Sequence, residues 1–252
     1  MHTMLQASLR TGLRGRSDIE TVGPFLAAFD PDSDSPFRNY AVPDDGAAPT
    51  DAEIEDLRRA FVRRGRLPRF EFLPSAAPAV EDALVSAGFV TEARLPIMTC
   101  TPAQLRESAP PAGVDLDLAV DVDALREAAA TQNAAYDAPP PPEADVTRLE
   151  AVVAAGGVVG LAREMGGRPV GSGLVTPAIE GFAEVAAVGV LPDWRRRGLA
   201  GALTGSLGRA AFDRGVDALM LMAYGAEQGI YARAGFTVAS EIAFMSIPSA
   251  HG

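Results

Sequence analysis

Four residue types are rare or missing in this chain of 252 residues: it has one cysteine, two histidines, one tryptophan and no lysine. Because Cys100 is alone, no internal disulfide can form, which agrees with a reducing compartment. His2 and His251 have no cysteine or histidine cluster between them, so the sequence predicts no zinc site and no other metal. All 22 basic residues are arginine.

Long apolar runs are also missing, although 48% of the residues are hydrophobic and can build a core. No run approaches the roughly 18 residues of a membrane-spanning helix. The first ten residues lack the apolar middle of a secretory signal. We therefore expect a cytoplasmic protein without a membrane partner, built as one large domain or two modest ones.

The charge is strongly one-sided, with 33 acidic residues and a formal net charge of −11. The acidic excess is spread along the whole chain and leaves no basic face, so nucleic acid is excluded as a partner. An acidic surface would suit a cationic amine substrate, but ordinary solubility explains it equally well.

One stretch, from Glu184 to Gly201, combines several signals for an anion site. An apolar run predicts a buried strand that ends at Pro192, and Arg195 to Arg197 and Gly198 follow. From Leu199 onward, apolar residues recur at helical spacing. Free backbone N–H groups and the dipole at a helix start favour a pyrophosphate, and the glycine permits close approach.

This stretch, V-G-V-L-P-D-W-R-R-R-G-L-A-G, resembles the coenzyme A loop of the GCN5-related N-acetyltransferase (GNAT) family, whose pattern is Q/R-x-x-G-x-G/A. Arg195, Gly198 and Ala200 occupy the fixed positions, while Arg196 stands where many members carry glycine. The alternative, a surface turn with solvated arginines, explains Arg196 and Arg197 but not the order of strand, proline, arginines, glycine and helix.

The resemblance implies the GNAT acyl-CoA N-acyltransferase fold, an α/β protein with a mixed sheet. Acetyl-CoA is the implied cosubstrate, bound partly by the backbone of the strand before the loop. The cofactor-binding residues implied in this way are Val188, Val190, Arg195, Arg196, Arg197, Gly198, Ala200 and Gly201. Trp194 is expected to pack the loop, with stacking on adenine as the alternative.

The resemblance covers residues 114–247, where the predicted order is strand, helix, helix, three strands, helix, strand, helix and strand. Residues 102–113 are predicted to be a linker. We therefore predict two domains: residues 1–111, a degenerate GNAT-like half-domain with a structural role, and residues 112–252, the catalytic GNAT domain.

The half-domain prediction depends on an internal repeat. Ala87-Gly88-Phe89 recurs as Ala234-Gly235-Phe236, an offset of 147 residues from Gly88 to Gly235. The first copy is predicted to be helix, strand, helix, strand, preceded over residues 1–17 by a loose end or short strand. Ala48 and Leu84 fall opposite Arg195 and Tyr231. This copy is therefore expected to keep the order of elements but to lack the functional residues. Its sheet must pack in cis or in a homodimer; both remain open.

Two residues are candidates for catalysis. Tyr231, in Y-A-R-A-G-F, resembles the GNAT tyrosine thought to protonate the leaving thiolate; the alternative is a half-buried ring that packs a helix. Glu184 resembles the strand glutamate that accepts the amine proton through water in some members; the alternative is a solvent-facing side chain. Tyr224 stands where the family often carries asparagine.

We therefore expect a bacterial N-acetyltransferase that transfers acetyl from acetyl-CoA to a primary amine by direct attack in a ternary complex. The amine of a small molecule and that of a peptide both remain open. The alternative function is a non-catalytic acyl-CoA-binding module for sensing or assembly.

Overall fold

The structure, a computed structural model, describes residues 2–14, 16, 18–31 and 33–248, with side chains from Leu5 onward. The imidazole of His2 and all of His251 therefore lie outside the described part. The chain divides into two compact units, Met1–Ile97 with Ala239–Gly252, and Met98–Val238. These bounds differ from the predicted boundary at 111/112, and the division into a structural and a catalytic domain stays a prediction.

The first unit begins with a helix and a hairpin. Its elements are α1 (His2–Arg14), β1 (Asp18–Val22), β2 (Phe25–Phe29), β3 (Tyr40–Pro43), α2 (Asp51–Arg63), β4 (Arg69–Phe72), α3 (Pro78–Ser86) and most of β5 (Val90–Cys100). The expectation of a loose end or short strand over residues 1–17 is wrong for the described residues. Leu5, Leu9 and Leu13 recur every four residues, and Leu5 and Leu13 are buried.

The sheet of the first unit follows the order β1-β2-β3-β4-β11, in which β11 (Thr237–Ser246) is the last strand of the chain. β11 pairs antiparallel with β4, from Ala243 opposite Phe72 to Ser246 opposite Arg69. Phenylalanine rings fill the core in edge-to-face contacts, for example Phe29 on Phe61 at 4.9 Å.

The second unit contains the strand, loop and helix that the sequence singles out. Its elements are β6 (Val114–Leu118), α4 (Val122–Ala135), α5 (Glu143–Ala154), β7 (Val158–Glu164), β8 (Pro169–Val175), β9 (Phe182–Val190), α6 (Leu199–Phe212), β10 (Ala218–Met222) and α7 (Gln228–Arg233). Together with β11, they confirm the element order predicted from residue 114 onward.

The sheet of the second unit runs β10-β9-β8-β7-β6, and only the β9–β10 pair is parallel among these neighbours in the described residues. The parallel pairs extend from Phe182 opposite Ala218 to Glu184 opposite Met220. β9 continues to Val190 beyond its last pair with β10. Within the described part of the chain, the two strands therefore part after Glu184.

A β-bulge lies in β9 next to this opening. Ser172 of β8 pairs with Gly189 and Leu174 pairs with Ala186, so Gly173 faces both Ala187 and Val188. Ala187 has φ +51°, a left-handed conformation rare outside glycine. A bulge bends its strand and turns backbone groups out of the ladder.

The internal repeat is visible in the elements. Adding 147 to the first residue of α2 and to that of β5 gives positions 198 and 237. Helix α6 begins at residue 199 and β11 at residue 237, so the two copies have matching elements. β3 pairs parallel with β4, as β9 does with β10. The match extends to β2 and β3, which fall on β8 and β9, so the first copy is longer than the predicted helix, strand, helix and strand.

Candidate active site

Helix α6 begins with a bare N-terminus. Gly198 is its N-cap, with φ +85° and no side-chain capping bond, and the first turn contains no acidic residue. A Cβ added at Gly198 would meet no atom within 4 Å. The first N–H groups of a helix have no partner inside it, so this uncrowded end can bind an anion through backbone donors and the helix dipole.

Arg196 explains how the loop turns without the glycine common at its position. Its φ is +61°, the left-handed region that glycine adopts freely. An ordinary residue pays about 1 to 2 kcal/mol for that conformation. The loop therefore keeps the turn that the resemblance implies, with some backbone strain.

The three arginines of the loop have different surroundings. The guanidinium of Arg195 donates to the carbonyl oxygens of Val190 (3.0 Å) and Ala135 (2.7 Å). The guanidinium of Arg197 lies over the Trp194 ring, 4.8 Å from its centre. Arg195 therefore fastens the loop to β9 and to the end of α4, and Arg196 faces the cavity described next.

A cavity of about 710 Å³ opens at the start of α6. It contains six of the predicted cofactor residues, Val190, Arg195, Arg196, Gly198, Ala200 and Gly201, whereas Val188 and Arg197 are not part of its wall. The rest of the lining is Arg106, Glu107, Ser108, Trp194, Leu199, Ile230, Arg233 and Ala234. Residues 106–108 belong to the predicted linker, a role in the cavity that the sequence did not suggest.

The predicted base, Glu184, is the last β9 residue paired with β10 and is partly buried. Its N–H donates to Thr176 Oγ1 at 2.9 Å, and its carbonyl oxygen accepts from the N–H of Thr176 at 2.9 Å. The backbone at Glu184 is therefore fixed where β9 and β10 begin to part. Glu184 does not belong to the wall of the 710 Å³ cavity.

The predicted acid, Tyr231, lies in α7 beside the cavity residue Ile230. Its ring is partly buried and packs edge-to-face on Phe236 at 6.2 Å. Burial raises the pKa of Tyr231 to about 12, and Glu227 and Tyr136 add to the rise. The phenol is therefore protonated at neutral pH, as a proton donor must be.

Tyr136, at the end of α4, is a residue that sequence reasoning missed. Its hydroxyl donates to the carbonyl oxygen of Val188 in the β9 bulge at 3.1 Å. Desolvation and the charge of Glu227 raise the pKa of Tyr136. Tyr136 is also one of the groups that raise the pKa of Tyr231. A contact over 52 positions of sequence leaves no local signal.

One family model matches part of the chain. The model of the Acetyltransferase (GNAT) family matches residues 122–236. These residues form a GNAT domain. Cys100 lies outside that match; it is buried, and burial raises the pKa of its thiol to about 11.

Solved structures agree with this family and extend the likeness beyond the GNAT domain. A GCN5-related N-acetyltransferase from Kribbella flavida is 25% identical, with a TM-score of 0.83 over 100% of this chain and 97% of the other. A GCN5-related N-acetyltransferase from Sphaerobacter thermophilus is 19% identical, with a TM-score of 0.68 over 90% of this chain and 78% of the other. A tandem GNAT protein from the clavulanic acid biosynthesis pathway is 14% identical, with a TM-score of 0.63 over 98% of this chain and 96% of the other. The predicted GNAT fold is confirmed, and the tandem protein agrees with the repeat.

The curated proteins contain no match to the chain. In the part of the chain that the structure describes, no three His, Cys, Asp or Glu residues are grouped so that they could hold a metal ion. No helix among the described residues has the length and apolar character needed to cross a membrane.

Proposed function

We propose that this protein is a cytoplasmic, bacterial N-acetyltransferase that transfers the acetyl group of acetyl-CoA to a primary amine of a small molecule or peptide. The observation that carries the proposal is the bare N-terminus of α6, which opens onto a 710 Å³ cavity lined by arginines. That size is within the range of small-molecule sites, and its backbone donors suit a pyrophosphate.

The pantetheine arm of the cosubstrate would extend along β9. Beyond Glu184, β9 is not paired with β10 in the described residues, although the carbonyl oxygens of Val188 and Val190 accept from Tyr136 and Arg195. The arm would bind the remaining backbone groups of this part of β9. The bulge at Ala187 and Val188 turns some of these groups out of the sheet. The acyl end of the ligand would then lie between Glu184 and Tyr231.

The chemical step needs no covalent enzyme intermediate. Glu184 accepts a proton from the amine through a water molecule, and the neutral amine attacks the thioester carbonyl. A C–N bond forms, the C–S bond breaks, and the thiolate takes the proton of Tyr231. The nitrogen loses its second proton as the amide forms, and that proton restores the Tyr231 phenol through solvent. A phenol with a pKa of about 12 is a weak acid for this purpose. The desolvation that raises the pKa of Tyr231 also raises the pKa of the departing thiol. The gap between the pKa of the phenol and that of the thiol is therefore smaller than in water.

The first test is Gly198→Asp. The new carboxylate lies at the proposed phosphate position, and the substitution should weaken CoA binding at least 30-fold because it puts a charge of the wrong sign at an anion site. Gly167→Asp is the matched control, because Gly167 has φ +81°, equally open surroundings and no part in the cavity.

Calorimetry with CoA and thermal unfolding would be measured for both variants. The control should show a similar loss of stability and unchanged affinity. Unchanged affinity in folded Gly198→Asp would refute the loop assignment. If CoA binds but no amine of a broad panel releases thiol from acetyl-CoA, the non-catalytic acyl-CoA-binding function is favoured instead.

A further inference from the structure

One wall of the cavity is formed by Arg106, Glu107 and Ser108, which belong to the segment Thr101–Ser108 that follows β5. The N–H of Arg106 donates to the carbonyl oxygen of Ala234 at 3.0 Å. Next to it, Glu107 accepts from Arg209 Nε at 2.9 Å. Leu105 packs against the buried core of the unit. The segment is therefore held to α6 and to the end of α7 at successive residues.

Glycines allow the segment to come this close. A Cβ on Gly205 of α6 would lie 3.2 Å from Glu107 Cα, and one on Gly235 would lie 2.0 Å from the carbonyl oxygen of Gln104. The 2.0 Å distance at Gly235 is too short for any side chain without a shift of the backbone, and the 3.2 Å distance at Gly205 is tighter than most Cβ contacts. The position of Arg106 at the cavity wall is thus fixed by backbone packing.

The cavity contains arginines without acidic partners. In the described residues, no carboxylate lies within the 4.0 Å ion-pair distance of Arg106, Arg196 or Arg233, although the chain has a net charge of −11. The acidic residue of the lining, Glu107, is paired with Arg209. The cavity wall is therefore positively charged, and Arg106 and Arg233 add to the arginines of the loop before α6.

We propose that Arg106, together with Arg233, binds the 3′-phosphate of coenzyme A. This inference rests on the proposed function. The pantetheine arm follows β9 and the pyrophosphate lies at the start of α6, so the phosphorylated ribose occupies the rest of the cavity. There the wall consists of residues 106–108, Ile230, Arg233 and Ala234. Guanidinium groups form paired, charge-assisted hydrogen bonds to phosphate.

The test compares CoA with 3′-dephospho-CoA, which lacks only that phosphate. Calorimetry would measure both ligands on the full chain as the parent, Arg106→Gln, Arg233→Gln and the control Arg148→Gln. Arg148 is likewise exposed, has no carboxylate within ion-pair distance among the described residues, and lies on α5 outside the cavity.

The parent should bind CoA about tenfold more tightly than 3′-dephospho-CoA. In Arg106→Gln, CoA affinity should fall by about three- to tenfold while 3′-dephospho-CoA affinity stays constant. Arg233→Gln should act in the same direction, and Arg148→Gln should match the parent.

An equal fall for both ligands, or no change for either, in Arg106→Gln would overturn the assignment, since the 3′-phosphate would then not be the group it contacts. A parent that binds neither ligand would instead refute the proposed function. The two failures are therefore distinguishable.

Discussion

At the scale of single residues, the proposed acid lies in α7 and the proposed base in β9. Tyr231 has a described ring contact with Phe236 and a pKa raised to about 12. The backbone of Glu184 forms the last parallel pair before β9 and β10 part. Neither residue lines the cavity at α6, so substitutions of both should separate chemistry from CoA binding.

Tyr231→Phe should lower kcat by about 10- to 1000-fold, the usual loss when a general acid is removed. CoA affinity should stay constant, because the ring and its packing on Phe236 remain. Tyr40→Phe, in the first unit, is the control for loss of a phenol hydroxyl. Steady-state rates and calorimetry measure both effects, and a kcat within twofold of the parent would exclude the role.

The same pKa predicts the alkaline side of the pH–rate profile. A phenol with a pKa of about 12 remains protonated up to about pH 11. The parent rate should therefore not decline between pH 8 and pH 10 through loss of this acid. A decline in that range that disappears in Tyr231→Phe would show that Tyr231 ionises at a much lower pH.

Glu184→Gln should lower kcat/KM for the amine by about 100-fold while leaving CoA affinity unchanged. An amine with a pKa near 10 is mostly protonated at neutral pH, so the parent rate should rise with pH through one ionisation. Glu164→Gln, a change of a carboxylate paired with Arg168 on the surface, is the control. Identical pH–rate profiles for the parent and Glu184→Gln would assign proton removal to water or the pocket.

At the scale of elements, the end of α4 is joined to β9 and to the CoA loop. Tyr136 bonds to Val188, and Arg195 bonds to both Val190 and Ala135. These contacts connect the bulged strand, the loop before α6 and α4. A change at this joint should therefore affect folding and CoA binding together.

Gly189→Ala tests this joint. The added Cβ would lie 2.7 Å from Ala135 Cβ and 3.5 Å from the Tyr136 ring, so α4 or β9 must move. We expect a loss of about 1 to 3 kcal/mol in the free energy of unfolding, typical of overpacking, together with weaker CoA binding. Gly166→Ala is the control, because nothing lies within 4 Å of its added Cβ. Denaturant unfolding would measure the free energy of unfolding, and calorimetry would measure CoA affinity. If both values for Gly189→Ala equal those of the parent, this contact between α4 and β9 does not support folding or CoA binding.

The elements also show what the sequence could predict. Local signals sufficed for the order from β6 to β11, because proline, glycine and apolar spacing act within a few residues. They sufficed for the loop before α6 as well. They could not reveal the bond from Arg195 to Ala135, 60 positions away, or the position of Arg106 beside Ala234. Such contacts are decided by tertiary packing, which leaves no periodic pattern in the chain.

At the scale of the whole molecule, the two copies of the repeat begin equivalent helices with opposite chemistry. Helix α2 has a capping box, in which Thr50 and Glu53 satisfy each other's backbone N–H groups. Asp51 and Glu53 also place negative charge in its first turn. Helix α6 has neither feature. Because the capping box occupies two backbone donors at the start of α2 and the acids of its first turn repel anions, the first copy should not bind a pyrophosphate.

We therefore predict one CoA per chain. Calorimetric titration of the full chain should give a stoichiometry near one, and Gly198→Asp should remove that binding without revealing a second tight site. Gly167→Asp should keep the stoichiometry of the parent, because it changes neither helix start. A stoichiometry of two in the parent, with one equivalent of tight binding left in Gly198→Asp, would mean that the first copy binds CoA despite its capping box. A purely structural role for that copy would then be wrong.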